Sequence, residues 1–292
     1  MYMEYYRIAG FTVAVDGMDG ELKGALRNMA PFETGAAAPV FTLSIVDGLA
    51  LSGERLPLPE PEPGMSALDV YRTSEGFMVT MAPGRDFPVK GLLSVDGTFE
   101  NGKLCFTEDA DTAARCFSFN NAMMILFAFR TATLGALEFH SSVIVNDGRG
   151  YMFLGKSGTG KSTHSRQWLK YIEGSELLND DNPIVRVLED GTVRVYGSPW
   201  SGKTPCYRQK DVPVGAIVRI RQAPENRIER LDALNSYASL TSSVSGLRVI
   251  RSLADGLHGT LTELVAKVPC FILDCLPDRE AAEVCHDAVH GA

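Results

Sequence analysis

The chain has 292 residues, enough for one large or two modest domains and long enough to bury a core without a metal or disulfide staple. A composition of 45% hydrophobic and 22% charged residues excludes a disordered chain, and a formal net charge of −8 argues against a nucleic-acid backbone or an anionic membrane surface as the main partner. The longest apolar run, Ala122–Phe129, stops at Arg130, well short of the roughly 20 residues of a spanning helix. Glu4 and Arg7 precede a short alternating patch, so no secretory signal is expected. Six cysteines lie scattered without a Cys-x-x-Cys pair, which predicts reduced thiols and a cytoplasmic protein.

Residues 1–111 read as a β-rich N-terminal part. Tyr6–Val15, Val40–Val46, Phe77–Met81, Leu92–Val95 and Lys103–Thr107 are short apolar or alternating segments, and Asp16-Gly17, Asp47-Gly48 and Asp96-Gly97 are hairpin signals. The alternating prolines of Leu56–Gly64 predict a loop, since proline cannot continue a ladder. A helix predicted over residues 112–136 is apolar on nearly all sides and links this part to an α/β part, with which it is grouped as 112–292. Beyond it, Leu137–Val145 and Gly150–Leu154 read as strands and Gly160–Tyr171 as a helix. Glu176–Leu178 is a short strand running into Asn179-Asp180-Asp181, and Ile184–Leu188 with Thr192–Tyr196 forms a hairpin across Asp190-Gly191. Gly215–Ile220 is a further strand. A helical stretch over Leu231–Leu264 carries Gly246 and Gly256 as predicted breaks, Val268–Leu276 is the last strand, and Asp278 caps a final helix.

One motif carries chemistry. Gly155-Lys156-Ser157-Gly158-Thr159-Gly160-Lys161-Ser162 fits G-x-x-x-x-G-K-[ST], follows the buried-strand run Tyr151-Met152-Phe153-Leu154 and precedes a helix. Glycines let successive N–H groups turn inward as an anion nest, and the helix N-terminus places partial positive charge behind it. Gly155, Ser157, Gly158, Thr159, Gly160, Lys161, Ser162 and Thr163 are the expected nucleotide contacts, with Lys161 on the β- and γ-phosphates and Ser162 on Mg²⁺. No Asn-Lys-x-Asp occurs, which leaves ATP as the default nucleotide.

Phosphoryl transfer also needs a carboxylate. Asp180-Asp181 lies one helix and one return strand after Ser162, at the sheet edge where α/β proteins bind ligands. One of the pair would hold Mg²⁺ while the other accepts the proton of an attacking hydroxyl, and adjacent strand positions leave open which does which. Asp274, behind Phe271-Ile272-Leu273, is a rival read as structural. In the segment Gly197–Lys203, Trp200 and Lys203 are candidate substrate contacts. Arg219, Arg221, Arg227 and Arg230 read as a solvated face.

These residues resemble HPr kinase/phosphorylase, whose P-loop fold is shared with phosphoenolpyruvate carboxykinases. The likeness rests on Phe139-His140-Ser141-Ser142-Val143-Ile144-Val145, the glycine-rich loop and Leu177-Leu178-Asn179-Asp180-Asp181, and covers about residues 137–185. It implies an α/β P-loop domain with a mixed sheet preceded by a β-rich part, His140 near the phosphates, Lys161 on phosphate, Ser162 and Asp181 at the metal, and Asp180 as acid/base. Thr163 stands where that family usually has an acidic residue, and the later signature tied to phosphorylase activity has no counterpart. The whole pattern looks most like the HPr-kinase-related proteins of bacterial peptide-modification clusters. That implies an ATP- and Mg²⁺-dependent transfer to a hydroxyl on a peptide, protein or small molecule, and self-assembly into homo-oligomers. A non-catalytic nucleotide-binding regulator and a carboxykinase-like enzyme are the alternatives.

Overall fold

The computed structural model describes residues 3–58, 60, 65–202, 204–246 and 250–291 and divides into two compact units, Met1–Thr131 with Leu247–Arg251 and Ala132–Gly246 with Ser252–Ala292. Among the described residues, no helix is long and apolar enough to cross a membrane.

In the first unit the segment Tyr6–Val15 is a hairpin rather than one strand. β1 (Glu4–Ile8) turns at Ala9-Gly10, where φ is 47° and 81°, into β2 (Phe11–Asp16). Asp16-Gly17 leads into α1 (Gly20–Ala25), capped by Asp19, whose carboxylate accepts from the Leu22 N–H. A helical connection permits a parallel partner, and β3 (Thr42–Ile45) runs parallel to β2. β4 (Glu54–Arg55), β5 (Ala67–Arg72), β6 (Gly76–Ala82), β7 (Gly91–Asp96) and β8 (Asn101–Phe106) complete an eight-stranded sheet of order β1-β2-β3-β8-β7-β6-β5-β4. Because β3 and β4 are not neighbours, Asp47-Gly48 makes no hairpin. Asp96-Gly97 does, and the Asp96 carboxylate accepts from the N–H groups of Thr98, Glu100 and Asn101 to close the turn. The proline-rich loop falls in part, at 59 and 61–64, outside the described residues.

The long apolar helix α2 (Thr112–Thr131) belongs to this first unit, a correction to its grouping with the α/β part. Its aromatic face is spent here: Phe127 meets Phe11 edge-on at 6.1 Å between ring centroids, and Phe129 meets Phe99 at 5.3 Å. Gly102 on β8 lets the helix close in, since a Cβ there would lie 2.8 Å from Leu126 Cδ1.

The second unit contains β9 (Ala136–Glu138), β10 (Ser141–Asn146), β11 (Arg149–Leu154), α3 (Lys161–Tyr171), β12 (Glu176–Asp181), β13 (Ile184–Val187) and β14 (Val193–Tyr196). It continues with β15 (Asp211–Gln222), β16 (Arg227–Arg230), α4 (Ala233–Thr241), α5 (Arg251–Lys267), β17 (Cys270–Cys275) and α6 (Arg279–His290). The sheet is mixed: β11, β15 and β17 are parallel neighbours, while β10 is antiparallel to both β11 and β12. The α/β class and the mixed sheet agree with the expectation drawn from the sequence.

Alternation along β11 makes two cores. Tyr151 and Phe153 pack with Trp168 of α3 and Ala281, Ala282 and Cys285 of α6, while Met152 and Leu154 pack on the other face with Leu240 of α4 and Leu257, Leu261 and Leu264 of α5. A strand buried on both faces reads as continuous apolar sequence, which is why Tyr151–Leu154 was legible. Gly256 does not break α5. It is small because a Cβ there would meet Thr133 Cγ2 at 2.5 Å, a packing requirement rather than a helix stop. All six cysteines are free thiols.

Candidate phosphate-binding site

The segment Leu137–Val145 is two strands, not one, and the break builds the site. β9 pairs with β13 while β10 pairs with β11 and β12, so Phe139-His140 is freed from both ladders. The freed backbone finds other partners: the Phe139 N–H donates to Pro183 O and the His140 N–H to Ser243 O at 2.7 Å. His140 is thereby held beside the end of β11 and the loop that follows it.

That loop has the backbone its glycines predict. Gly158 and Gly160 have φ of 79° and 112°, left-handed values that non-glycine residues rarely adopt, and Gly160 is the N-cap of α3. The Thr159 N–H and Oγ1 both reach the Lys156 carbonyl, at 3.1 and 2.8 Å, and Ser157 lies exposed on the same turn. Ser162 is the second residue of α3, Thr163 accepts from Arg166, and the buried hydroxyls of Ser142 and Ser165, 2.7 Å apart, fasten the helix to β10.

Lys161 joins the loop to the acidic strand. Its Nζ donates to Gly155 O at 2.9 Å and lies 2.8 Å from His140 Nε2, while His140 Nδ1 is 3.0 Å from Asp181 Oδ1. An ammonium only donates, so His140 accepts at Nε2 and carries its proton on Nδ1, toward Asp181. Burial lowers the pKa of Lys161, the charges of Asp181 and Asp180 raise it, and the positive charge of Arg219 lowers it further.

Asp180 and Asp181 end β12 opposite Ser142 and Ser141. They differ as adjacent strand residues should. Asp181 is half-buried and tied to His140, whereas Asp180 is 6% exposed and both its carboxyl oxygens are buried with no hydrogen-bond partner among the described residues. Orphaned buried oxygens are uncommon in folded proteins, and a pair of them sets Asp180 apart from the other carboxylates of the unit. Asn179, fully buried, donates to Ser198 Oγ and Trp200 O and so pins the segment after β14 against this strand. At Gly202 a Cβ would lie 2.8 Å from Asp180 O, so only glycine lets that segment lie so close. Trp200 is 4% exposed, which places its ring in packing rather than on an open substrate face. Lys203 lies outside the described residues. Asp274 makes a two-point ion pair with Arg221, at 2.6 and 2.7 Å, in keeping with a structural role.

Two site features had no clear sequence signal. A cavity of about 430 Å³ opens against Gly158, Gly160 and Thr163, walled by Ile220, Ala223 and Leu276; Gln222 Nε2 reaches the carbonyls of Gly158 and Thr159 at 3.4 and 3.3 Å. Glu138 is fully buried at the end of β9, and burial pushes its carboxyl up to about 8. Its one sequence signal was a charge among the apolar residues before His140.

Together these features define an α/β protein with a strand–glycine loop–helix unit facing an acidic strand end. Residues 104–276, more than half of the chain, match the family described as SynChlorMet cassette protein ScmC, and the chain belongs to that family. No curated protein matches the sequence. Among solved structures it is similar to the Hpr(Ser) kinase/phosphatase from Coxiella burnetii, with 13% identity and a TM-score of 0.32 over 53% of this chain and 88% of that one.

Proposed function

We propose that this protein transfers the γ-phosphoryl group of ATP to a hydroxyl on a peptide, protein or small molecule. The observation that carries the proposal is the convergence of the glycine loop and Lys161 with the buried carboxyl of Asp180, which has no hydrogen-bond partner among the described residues. Loop N–H groups and Lys161 bind the phosphates. His140, fixed through Asp181, holds the Lys161 ammonium at the loop. Asp180 takes the acceptor's proton as the acceptor oxygen bonds to phosphorus and the bond to the ADP oxygen breaks. Ser162 and Asp181 are hard oxygen donors of the kind Mg²⁺ selects, and they would hold that ion. When bound, Mg²⁺ neutralises charge developing on the transferred group.

The cavity beside Gly158–Gly160 supports a nucleoside rather than a bare polyphosphate as the donor's other end, since apolar walls and one amide suit a base. Ala223→Trp should fill it. The expected result in titration calorimetry is at least a tenfold loss of ATP affinity with tripolyphosphate affinity unchanged; equal losses for both would place the nucleoside elsewhere.

The direct test incubates γ-labelled ATP and Mg²⁺ with a cell extract and either wild type or Lys161→Ala. Label should move to an acceptor with wild type only. Binding of ATP without transfer would retain the loop's role and reject the phosphotransferase.

A further inference from the structure

Arg219 does not belong to a solvated face. It stands on β15 directly beside Leu154, the last residue before the glycine loop. Its neighbours in sequence have acidic companions: Arg221 grips Asp274, and Arg227 lies 3.8 Å from Glu229. Among the described residues Arg219 has no carboxylate partner. Its guanidinium is instead half-buried in a cradle of serines, Nε donating to Ser239 Oγ at 2.7 Å and Nη2 to Ser239 O, Ser242 Oγ at 3.0 Å and Ser243 Oγ at 2.9 Å.

Serine oxygens satisfy hydrogen bonds but carry no charge. A positive charge removed from water and left uncompensated is costly, and burial lowers the pKa of Arg219 accordingly. Its charge reaches Lys161, where the two cations repel. The site therefore holds two part-buried cations, Lys161 on the loop's helix and Arg219 beside the strand end before the loop, an arrangement that a bound anion stabilises. The cradle also fixes where the guanidinium lies, because Ser243, which accepts from Nη2, accepts the His140 N–H through its own carbonyl. One segment thus anchors both Arg219 and the histidine that holds Lys161. Among the described residues Nη1 makes no hydrogen bond, which leaves its two donors open to solvent or to a ligand.

We infer that Arg219 contacts the phosphoryl group in transit through Nη1, as a second fixed positive charge of the site. The inference rests on the phosphotransferase reading. Loop amides and Lys161 already serve the bound nucleotide, whereas a planar guanidinium locked by four acceptors is preorganised for charge that appears only as the group moves.

The test compares retention of ADP·Mg²⁺ alone with retention of ADP·Mg²⁺ plus aluminium fluoride, which mimics a phosphoryl group in flight. Wild type should hold the fluoride complex far more tightly than ADP. Arg219→Gln should bind ADP within about threefold of wild type, lose most of the fluoride-dependent tightening, and transfer phosphate about 10²–10³-fold more slowly. Arg219→Lys should recover part of the loss, because it restores charge without the fork. Should Arg219→Gln not fold, Ser239→Ala, which keeps the charge but loosens its hold, should still weaken the tightening without changing ADP binding. Unchanged tightening in Arg219→Gln, or losses equal for ADP and its fluoride complex, would overturn the inference and leave the nucleotide site standing. No nucleotide binding by wild type would bring down both readings.

Discussion

Asp180→Asn is expected to lower phosphoryl transfer by about three orders of magnitude while leaving the melting temperature at or above that of wild type. The first half follows from its role, because a positioned base contributes roughly 10²–10⁴-fold and an amide cannot take the acceptor's proton. The second half follows from its surroundings. Both carboxyl oxygens are buried without a hydrogen-bond partner among the described residues, so those residues gain nothing from them that an isosteric amide would lose. Such opposition between stability and activity is characteristic of groups retained for chemistry. Asp181→Asn should behave differently. It disturbs the bond to His140 Nδ1, and through His140 the placement of Lys161, so its loss should fall mainly on nucleotide affinity. Transfer assays and titration calorimetry on the two variants separate the roles; a drop in melting temperature with Asp180→Asn would mean that the carboxyl is structural.

The loop and the acidic pair were legible in the sequence because each is written in local chemistry. Gly158 and Gly160 are glycines for their own φ values, and Tyr151–Leu154 is continuously apolar because both of its faces are covered. The hairpins at Asp96-Gly97 and Asp190-Gly191 were legible for the same reason. What was not legible depends on partners distant in sequence. The apolar run through His140 looks like one strand, and nothing local says that β9 pairs with β13 while β10 pairs with β11 and β12. Arg219 looks like its neighbours Arg221 and Arg227 until Ser239, Ser242 and Ser243 are brought around it. Trp200 reads as a substrate contact, and nothing local says that it is buried, with its backbone carbonyl held by Asn179 of the Asp-bearing strand. The grouping of α2 failed likewise, since a helix apolar on all sides does not announce which sheet will cover it.

Glu138→Gln is expected to remove a pH dependence of stability that wild type carries between about pH 4.5 and 8. The Glu138 side chain is fully buried, Oε1 accepts from Ser245 Oγ at 3.2 Å, and Oε2 has no partner among the described residues. Burial pushes the carboxyl up to about 8 from its ordinary 4.5; the Ser245 bond pulls it down, and the charge of Asp181 adds to the rise. The unfolded chain loses this proton near the ordinary value while the folded chain keeps it to the higher one. The contribution is therefore complete below about pH 4.5, is lost as pH rises at about 1.4 kcal/mol per unit, and levels off above pH 8. Glutamine has no proton to lose and still offers an oxygen to Ser245. Urea denaturation of both proteins at pH 5, 6.5 and 8 isolates the group, because other titrations cancel in the difference. The variant should gain on wild type steadily across that range, and curves that stay parallel would mean that Glu138 is already ionised in the fold.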